Sequence, residues 1–342
     1  MKVIGIDPGT ATWDFVVLED GKFAEELTIP TEVVKKNPGE IIEFIKNFNP
    51  GFVAAPSGYG LPLKKISDLD DGDLFRVNLK KSKITDKGNV VKSDVGLTKV
   101  LKLLIENKIP GCIVPGVKHL PTVPDYRKIN KIDMGTPDKV CSAALAVSKY
   151  KNYGNASFIL AEIGSAFNAF IAVEKGKIID GIGGTLASSG MMSSGRMDGE
   201  IAYLLGGFEK EVLFRGGVMD IDETGKDKDN YFIEGILKDI AQLSAVTDSK
   251  TVILSGRMSK DSEFVNNLKN KFKDSEFFSN FEIKKLKGVS DSAKSSHAAQ
   301  GAALIADGLS GGKYKNLAEH LELKNAVGSV FDYIYIKNFS VD

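Results

Sequence analysis

Two short turns carry residue types that can grip a phosphate. In the first, Asp7-Pro8-Gly9-Thr10-Ala11-Thr12, a carboxylate leaves an apolar run and is followed by a glycine and two hydroxyls. A glycine lets backbone N–H groups approach an anion closely, and successive N–H groups with a hydroxyl can cradle phosphate oxygens. A carboxylate at the strand end can hold magnesium. Alone this is weak evidence, because ordinary hairpin turns use the same residues. A second copy strengthens it. An offset of 155, which carries Ile4 onto Ile159, also carries Gly9 onto Gly164, Ala11 onto Ala166, Phe15 onto Phe170 and Lys22 onto Lys177 without a gap. Asp7 then meets Glu162 and Thr10 meets Ser165, so acid, glycine and hydroxyl recur together. Two such turns can hold a polyphosphate from both sides. The expectation is that Asp7 and Glu162 steer the metal while Gly9, Thr10, Ala11, Thr12, Gly164 and Ser165 hold phosphates.

The elements that must position these turns read as hairpins. Strands are expected over Lys2–Ile6, Thr12–Leu18 and Lys22–Ile29, and again over Ser157–Ala161, Asn168–Val173 and Lys177–Asp180, because apolar and β-branched residues dominate these runs. A chain of 342 residues exceeds the size at which one core stops growing, so two domains are expected, and the repeated hairpin, leading each, divides them into α/β lobes over roughly 1–156 and 157–342. Lys+Arg and Asp+Glu each count 45, so no global charge attracts nucleic acid or an anionic membrane, and the expected partner is a small molecule. The N-terminal apolar run is too short for a signal peptide, and no run reaches membrane-spanning length. Two cysteines, Cys112 and Cys141, are too few for a disulfide framework or a zinc site, and buried reduced thiols suit a cytoplasm.

At this point a family resemblance is visible. Val3–Asp14 and Leu160–Asn168 resemble the two phosphate motifs of the superfamily of acetate and sugar kinases, heat-shock chaperone ATPases and actin, with Glu162 where the second motif usually has Asp. Thr251–Arg257 is similar to its adenosine motif, with Arg257 in place of the usual second glycine, and Pro137–Lys149 and Ala298–Asp307 resemble its two connecting helices. The resemblance implies two duplicated actin-like, ribonuclease H-like lobes, each a mixed sheet flanked by helices. ATP and Mg2+ would lie in the cleft between them, with Ser255, Gly256 and Arg257 bordering the adenosine. Gly190–Glu200 looks like the acetate and butyrate kinase segment in which two methionines precede a small-residue turn, an arginine and an acid. As a whole the chain looks closest to an archaeal family of predicted butyrate kinases. That resemblance implies a small carboxylate as phosphoryl acceptor, and a homodimer.

The acceptor's contacts must come from the loops. Arg196 can bind a carboxylate or the transferring phosphoryl group bidentately, or can pair within its loop with Asp198 or Glu200. Asp198 and Glu200 in turn can orient Arg196, reach magnesium through water, or cap a helix entering at Ile201. Ser57, Gly58 and Tyr59 form a substrate-loop candidate: Ser57 can hydrogen-bond a carboxylate and Tyr59 can cover an acyl chain, or the segment can be a rigid turn. Thr136, Pro137 and Asp138 read as the start of a helix, which leaves Asp133 over. In sugar kinases an acid in this region is the general base. A carboxylate acceptor has no hydroxyl proton to remove, so Asp133 discriminates between acceptor classes.

Other signals are set aside. Asp220–Gly225 begins like a calcium loop but has Tyr231 at its twelfth position. Lys80, Lys81, Lys83 and Lys87 lack interleaved aromatics and read as a solvated insertion. His119, His297 and His320 lack the spacing of a helix-borne metal pair, and the thiols of a cluster-bridging activator are missing. Three readings stand: a carboxylate kinase, a kinase for a hydroxyl acceptor, and a nucleotide-gated ATPase without a metabolic acceptor. All three make Asp7 essential. Asp7→Ala is expected to abolish magnesium-dependent turnover without unfolding the protein, and a steady-state assay at saturating ATP that finds activity retained would contradict this.

Overall fold

The structure, a computed structural model, describes residues 1–79, 96–221 and 227–340. The lysines 80, 81, 83 and 87 and positions 222–226 of the calcium-like pattern lie outside the described residues. The chain opens with three antiparallel strands, β1 (Lys2–Pro8), β2 (Thr12–Glu19) and β3 (Lys22–Pro30), then α1 (Thr31–Lys36) and α2 (Gly39–Phe48). After β4 (Phe52–Ala54) and β5 (Lys64–Lys65) come α3 (Asp71–Asn78), α4 (Leu97–Glu106) and β6 (Gly111–Ile113), completing a sheet of order β3-β2-β1-β4-β6-β5. Helices α5 (Asp125–Lys128) and α6 (Pro137–Val147) lead to the second hairpin, β7 (Phe158–Ile163), β8 (Asn168–Glu174) and β9 (Lys177–Ile182). The rest is α7 (Gly199–Leu205), α8 (Lys228–Ser244), β10 (Thr251–Ser255), α9 (Ser262–Asp274), β11 (Glu282–Lys285), α10 (His297–Leu309) and α11 (Lys315–His320).

The second sheet runs β11-β10-β7-β8-β9, which mirrors the first strand for strand apart from β5. In both sheets the opening strand pairs antiparallel with its hairpin partner and parallel with the strand that follows the helices. Even the irregularity is repeated. A bulge in the outer pairing falls between Val17 and Leu18 in the first hairpin and between Ala172 and Val173 in the second, the same position under the offset. The two hairpins are thus duplicates in register as well as in sequence.

Each sheet is buried on both faces, which is why its central strands read as continuous apolar runs rather than alternating ones. On the outer faces, Ile4, Phe15 and Val17 pack on α2 and α4 through Ile41, Ile45, Leu101 and Leu104, and Ile159, Phe170 and Ala172 pack on α8 and α9 through Ile236, Ile240 and Leu268. On the inner faces, Val3, Val16 and Leu18 of one sheet and Phe158, Leu160 and Ile171 of the other enclose α6 and α10 in one shared core. The helices approach at backbone distance. A Cβ at Gly301 would lie 1.8 Å from the Cys141 carbonyl oxygen, and one at Gly5 would lie 2.1 Å from the Ala303 nitrogen. Both expected connecting helices are therefore present and in contact, and Cys112 and Cys141 are buried free thiols.

Val330–Ile336 adds no strand; it forms turns, because Lys118 buries its ammonium there and donates to the Val330 and Asp332 carbonyls at 2.6 Å each. Among the described residues no helix is long and apolar enough to cross a membrane. The close helix contact gives a stability test. Gly301→Val is expected to destabilise the fold by about 3 kcal/mol or more through overpacking, whereas Gly207→Ala, which meets nothing within 4 Å, should cost under about 0.5 kcal/mol. Urea unfolding of both variants checks the difference.

Candidate active site

A cleft of about 640 Å³ opens between the two sheets. Asp7, Gly9, Thr10, Ala11, Thr12, Ser57, Gly58, Tyr59, Asp133, Glu162, Gly164, Ser165, Ser255, Gly256 and Arg257 all line it. The two turns are built alike. A Cβ at Gly9 would stand 2.6 Å from the Thr12 carbonyl oxygen, and one at Gly164 would stand 2.5 Å from that of Phe167, the position equivalent to Thr12. Only glycine allows either turn to fold back so tightly. The first turn is also pinned from outside, by Thr31 donating its hydroxyl to the Gly9 carbonyl at 2.8 Å and its N–H to that of Ala11 at 3.0 Å.

The acids of the first hairpin converge on the N-terminus of α10. Ser296 caps that helix by accepting from the Ala299 N–H at 3.1 Å and donates its hydroxyl to Asp7 Oδ2 at 2.7 Å. Glu26 on β3 accepts from the N–H groups of Lys294 and Ser295, both at 2.9 Å. Negative charge at a helix N-terminus is stabilising, so this arrangement ties the first hairpin to a helix that follows the second sheet. Asp14 is part of it too. Burial raises its proton affinity, partly offset by hydrogen bonds from Thr28 and Ser296.

Across the cleft floor, four groups form a charged row. Lys139 on α6 donates to Asp138 and to Glu162 Oε1, the latter at 2.6 Å, and Ser142 donates to Glu162 Oε2 at 2.6 Å. Burial works against the Lys139 charge, but Asp138 and Glu162 outweigh it and hold the ammonium above its ordinary range. Burial likewise pushes Asp138 up, and the Lys139 charge with hydrogen bonds from Lys139 and Thr136 leaves it below its ordinary value. Among the described residues Asp7 forms no ion pair. Burial and the nearby Asp138 charge raise it to about 8, against the hydrogen bond from Ser296 and the Lys139 charge, which lower it. Ser255 joins the row to His297, whose Nδ1 lies 2.9 Å from Ser255 Oγ and whose proton affinity burial lowers to about 4.

The acceptor loops partly depart from expectation. Arg196 does not line the cleft. Its guanidinium donates to Ser188 Oγ at 2.8 Å and to the fully buried Asp239 of α8 at 3.1 Å, so it serves an ion pair on the outer face, and with neither Asp198 nor Glu200. Asp198 caps α7 by accepting from the Glu200 N–H at 2.8 Å, and is likewise outside the cleft. Ser57 faces the cleft but uses its hydroxyl within the loop, donating to Ala55 and accepting from Val114. Asp133 is buried at the cleft wall, accepts from the Gly135 N–H at 3.1 Å, and has its proton affinity raised by burial. Glu162 faces the cleft with both oxygens engaged, and among the described residues no three acids, histidines or cysteines are grouped to hold a metal on their own.

The structure also brings in residues that the sequence did not mark. Asp138 was accounted for as part of a helix start, and Lys139 and Ser296 were assigned no role. Tyr59, Phe167, Leu213 and Phe214 wall one end of the cleft, with Phe167 and Phe214 edge-to-face at 4.8 Å between centroids. The raised Asp7 value has a consequence for stability. Its folded value lies above the unfolded one, so the stability tied to its protonated form is full below about pH 4 and is lost as pH rises towards 8. In metal-free buffer Asp7→Asn should therefore gain in Tm over the wild type as pH rises from 4 to 8. A difference that stays constant with pH would refute the shift.

The comparisons with known proteins bear on the fold. Among solved structures the chain is similar to acetate kinase from Entamoeba histolytica, at 14% identity and a TM-score of 0.54 over 80% of this chain and 87% of that one. It is similar to acetate kinase from Porphyromonas gingivalis, at 14% and 0.52 over 88% and 98%. A ROK family glucokinase from Streptomyces griseus in complex with glucose and AMPPNP matches at 11% and 0.47 over 90% and 99%. No curated protein matches the sequence. At these identities the likeness shows the fold, which is the two-lobe actin-like fold of these kinases. Residues 5–336 match a family described as "Protein of unknown function (DUF1464)", and the chain belongs to that family.

Proposed function

We propose that the chain is an ATP-dependent phosphotransferase that passes the γ-phosphoryl group of ATP to a small carboxylate, in the manner of an acetate or butyrate kinase. The observation that carries this is the pair of duplicated glycine turns, each beside an acid, facing one cleft between two matching sheets. In this reading the turns Gly9–Thr12 and Gly164–Ser165 hold the phosphates, and Ser255–Arg257 border the adenosine. The division into lobes at 156/157, the cytoplasmic location and the homodimer belong to the same proposal.

Magnesium fits the donor set. Asp7 and Asp138 are close enough for the charge of one to raise the other, and a cation beside them would relieve that repulsion and release the Asp7 proton. Asp7 and Asp138 would hold it directly, and Glu162, taken up by Lys139 and Ser142, would position it from behind. A magnesium ion bound there neutralises phosphate charge. The chain's own groups do the positioning: Lys139 keeps Asp138 ionised, Ser296 fixes the Asp7 carboxyl, and closure of the lobes excludes water.

The apolar wall of Tyr59, Phe167, Leu213 and Phe214 supports a small acid with a hydrocarbon chain, since a sugar would call for more hydrogen-bonding side chains there. One observation favours a second reading. Asp133 lines the cleft with raised proton affinity, as a general base for a hydroxyl acceptor would. An acceptor screen by ADP release, with hydroxamate trapping of acyl phosphate, separates the two. The expected result is trapped product with a short-chain acid and less than about tenfold loss in Asp133→Asn. Turnover with polyols alone, with a loss of about 10²-fold or more in that variant, would favour the hydroxyl reading. Slow acceptor-independent hydrolysis alone would point to the nucleotide-gated ATPase.

A further inference from the structure

A carboxylate acceptor calls for a cation at the walled end of the cleft, and Arg196, bound to Asp239 on the outer face, does not supply it. We infer that Lys210 does: its ammonium anchors the acceptor's carboxylate beside Tyr59. The inference rests on the carboxylate reading above and goes beyond it by naming the residue that reads the acceptor's charge.

Lys210 opens a short 3-10 turn, Lys210–Phe214, that belongs to the second half of the chain but reaches the first. Its Nζ donates to the carbonyl of Asn78, the last residue of α3, at 2.7 Å, and stands 4.7 Å from the centre of the Tyr59 ring. Lys210, Tyr59, Leu213 and Phe214 all line the cleft. Tyr59 in turn lies close enough to Asp133 for that carboxyl to add to the burial that raises the Tyr59 phenol. The ammonium is therefore tied to the acceptor end by its neighbours rather than placed there by sequence distance alone.

The surroundings suit a charged anchor. Carbonyls at a helix C-terminus and the face of a tyrosine both stabilise an ammonium. A carboxylate held by Lys210 would lay its hydrocarbon chain along Leu213 and Phe214, residues of the same turn, so one short segment would read both charge and chain. In the transfer, a carboxylate oxygen forms the new P–O bond as the bond from the γ-phosphorus to the β–γ bridging oxygen breaks. ADP carries the electron pair away, and no proton needs to be moved. The flexible lysine stem lets the ammonium follow the carboxylate during attack.

The test is steady-state kinetics of Lys210→Met and Lys210→Arg, varying acid at saturating ATP and ATP at saturating acid, with thermal unfolding to confirm the fold. Loss of a hydrogen bond to a charged group predicts a rise of about 10- to 100-fold in acceptor KM for Lys210→Met. The KM for ATP should stay within about twofold, and Lys210→Arg should recover much of the affinity. A folded Lys210→Met enzyme with unchanged acceptor KM overturns the assignment and leaves the carboxylate reading standing. A wild-type enzyme that forms no acyl phosphate with any small acid overturns both. Should the variants not fold, amine-reactive labelling of the wild type, read by mass spectrometry, decides: protection of Lys210 by the accepted acid supports the anchor, and labelling that the acid does not change refutes it.

Discussion

The backbone contact of α10 with α6 and β1 is the constraint on which the rest of the molecule depends. Gly301 and Gly5 leave no space for a side chain where these elements meet, so the two helices and the inner faces of both sheets form one core. That contact fixes where α10 begins. Its N-terminus comes to rest against the first hairpin, where Asp7 and Glu26 accept hydrogen bonds from Ser296 and from the Lys294 and Ser295 N–H groups. The same contact fixes α6, whose Lys139 reaches Glu162 at the start of the second glycine turn. Both turns are thus set by one helix pair. Any relative motion of the lobes has to work against, or pivot on, this packing.

Charge in the cleft follows from that frame. The floor holds three acids, Asp7, Asp138 and Glu162, around a single lysine, and the lysine satisfies only two of them. The third, Asp7, has its proton affinity raised by burial and by the Asp138 charge. A site arranged in this way is short of one cation, and the turns proposed to hold phosphates on either side would bring a metal-bound polyphosphate to that place. The electrostatics and the glycine turns therefore point to the same ligand from independent directions.

The duplication was legible in the sequence down to the glycine positions, and the structure extended it to the strand order and the bulge. It was legible because both hairpins must meet the same local demand, a tight turn beside an acid. The position of Arg196 was not legible for the opposite reason. Its loop carries a local pattern, but its partner Asp239 lies on α8, and only tertiary packing brings the two together. Asp138 was read as an ordinary residue of a first helical turn, which it is; that its charge also reaches Asp7 depends on α10 packing against both α6 and β1. Lys210 gave no local signal, since its contacts are with Asn78 and Tyr59, far away in the chain. Positions that depend on a residue's own turn were legible, and those that depend on a distant partner were not.

The central claim is that the two glycine turns act together on one polyphosphate. Calorimetric titration of MgATP into the wild type, Gly9→Val and Gly164→Val tests it most directly, because a side chain at either position would collide with a carbonyl of its own turn and leave the other turn intact. The account predicts that each variant, while still folded, binds MgATP at least about tenfold more weakly, each lost charge-assisted contact being worth about 1.5–3 kcal/mol. Wild-type affinity in either folded variant would show that its turn does not hold the nucleotide, and would contradict the account.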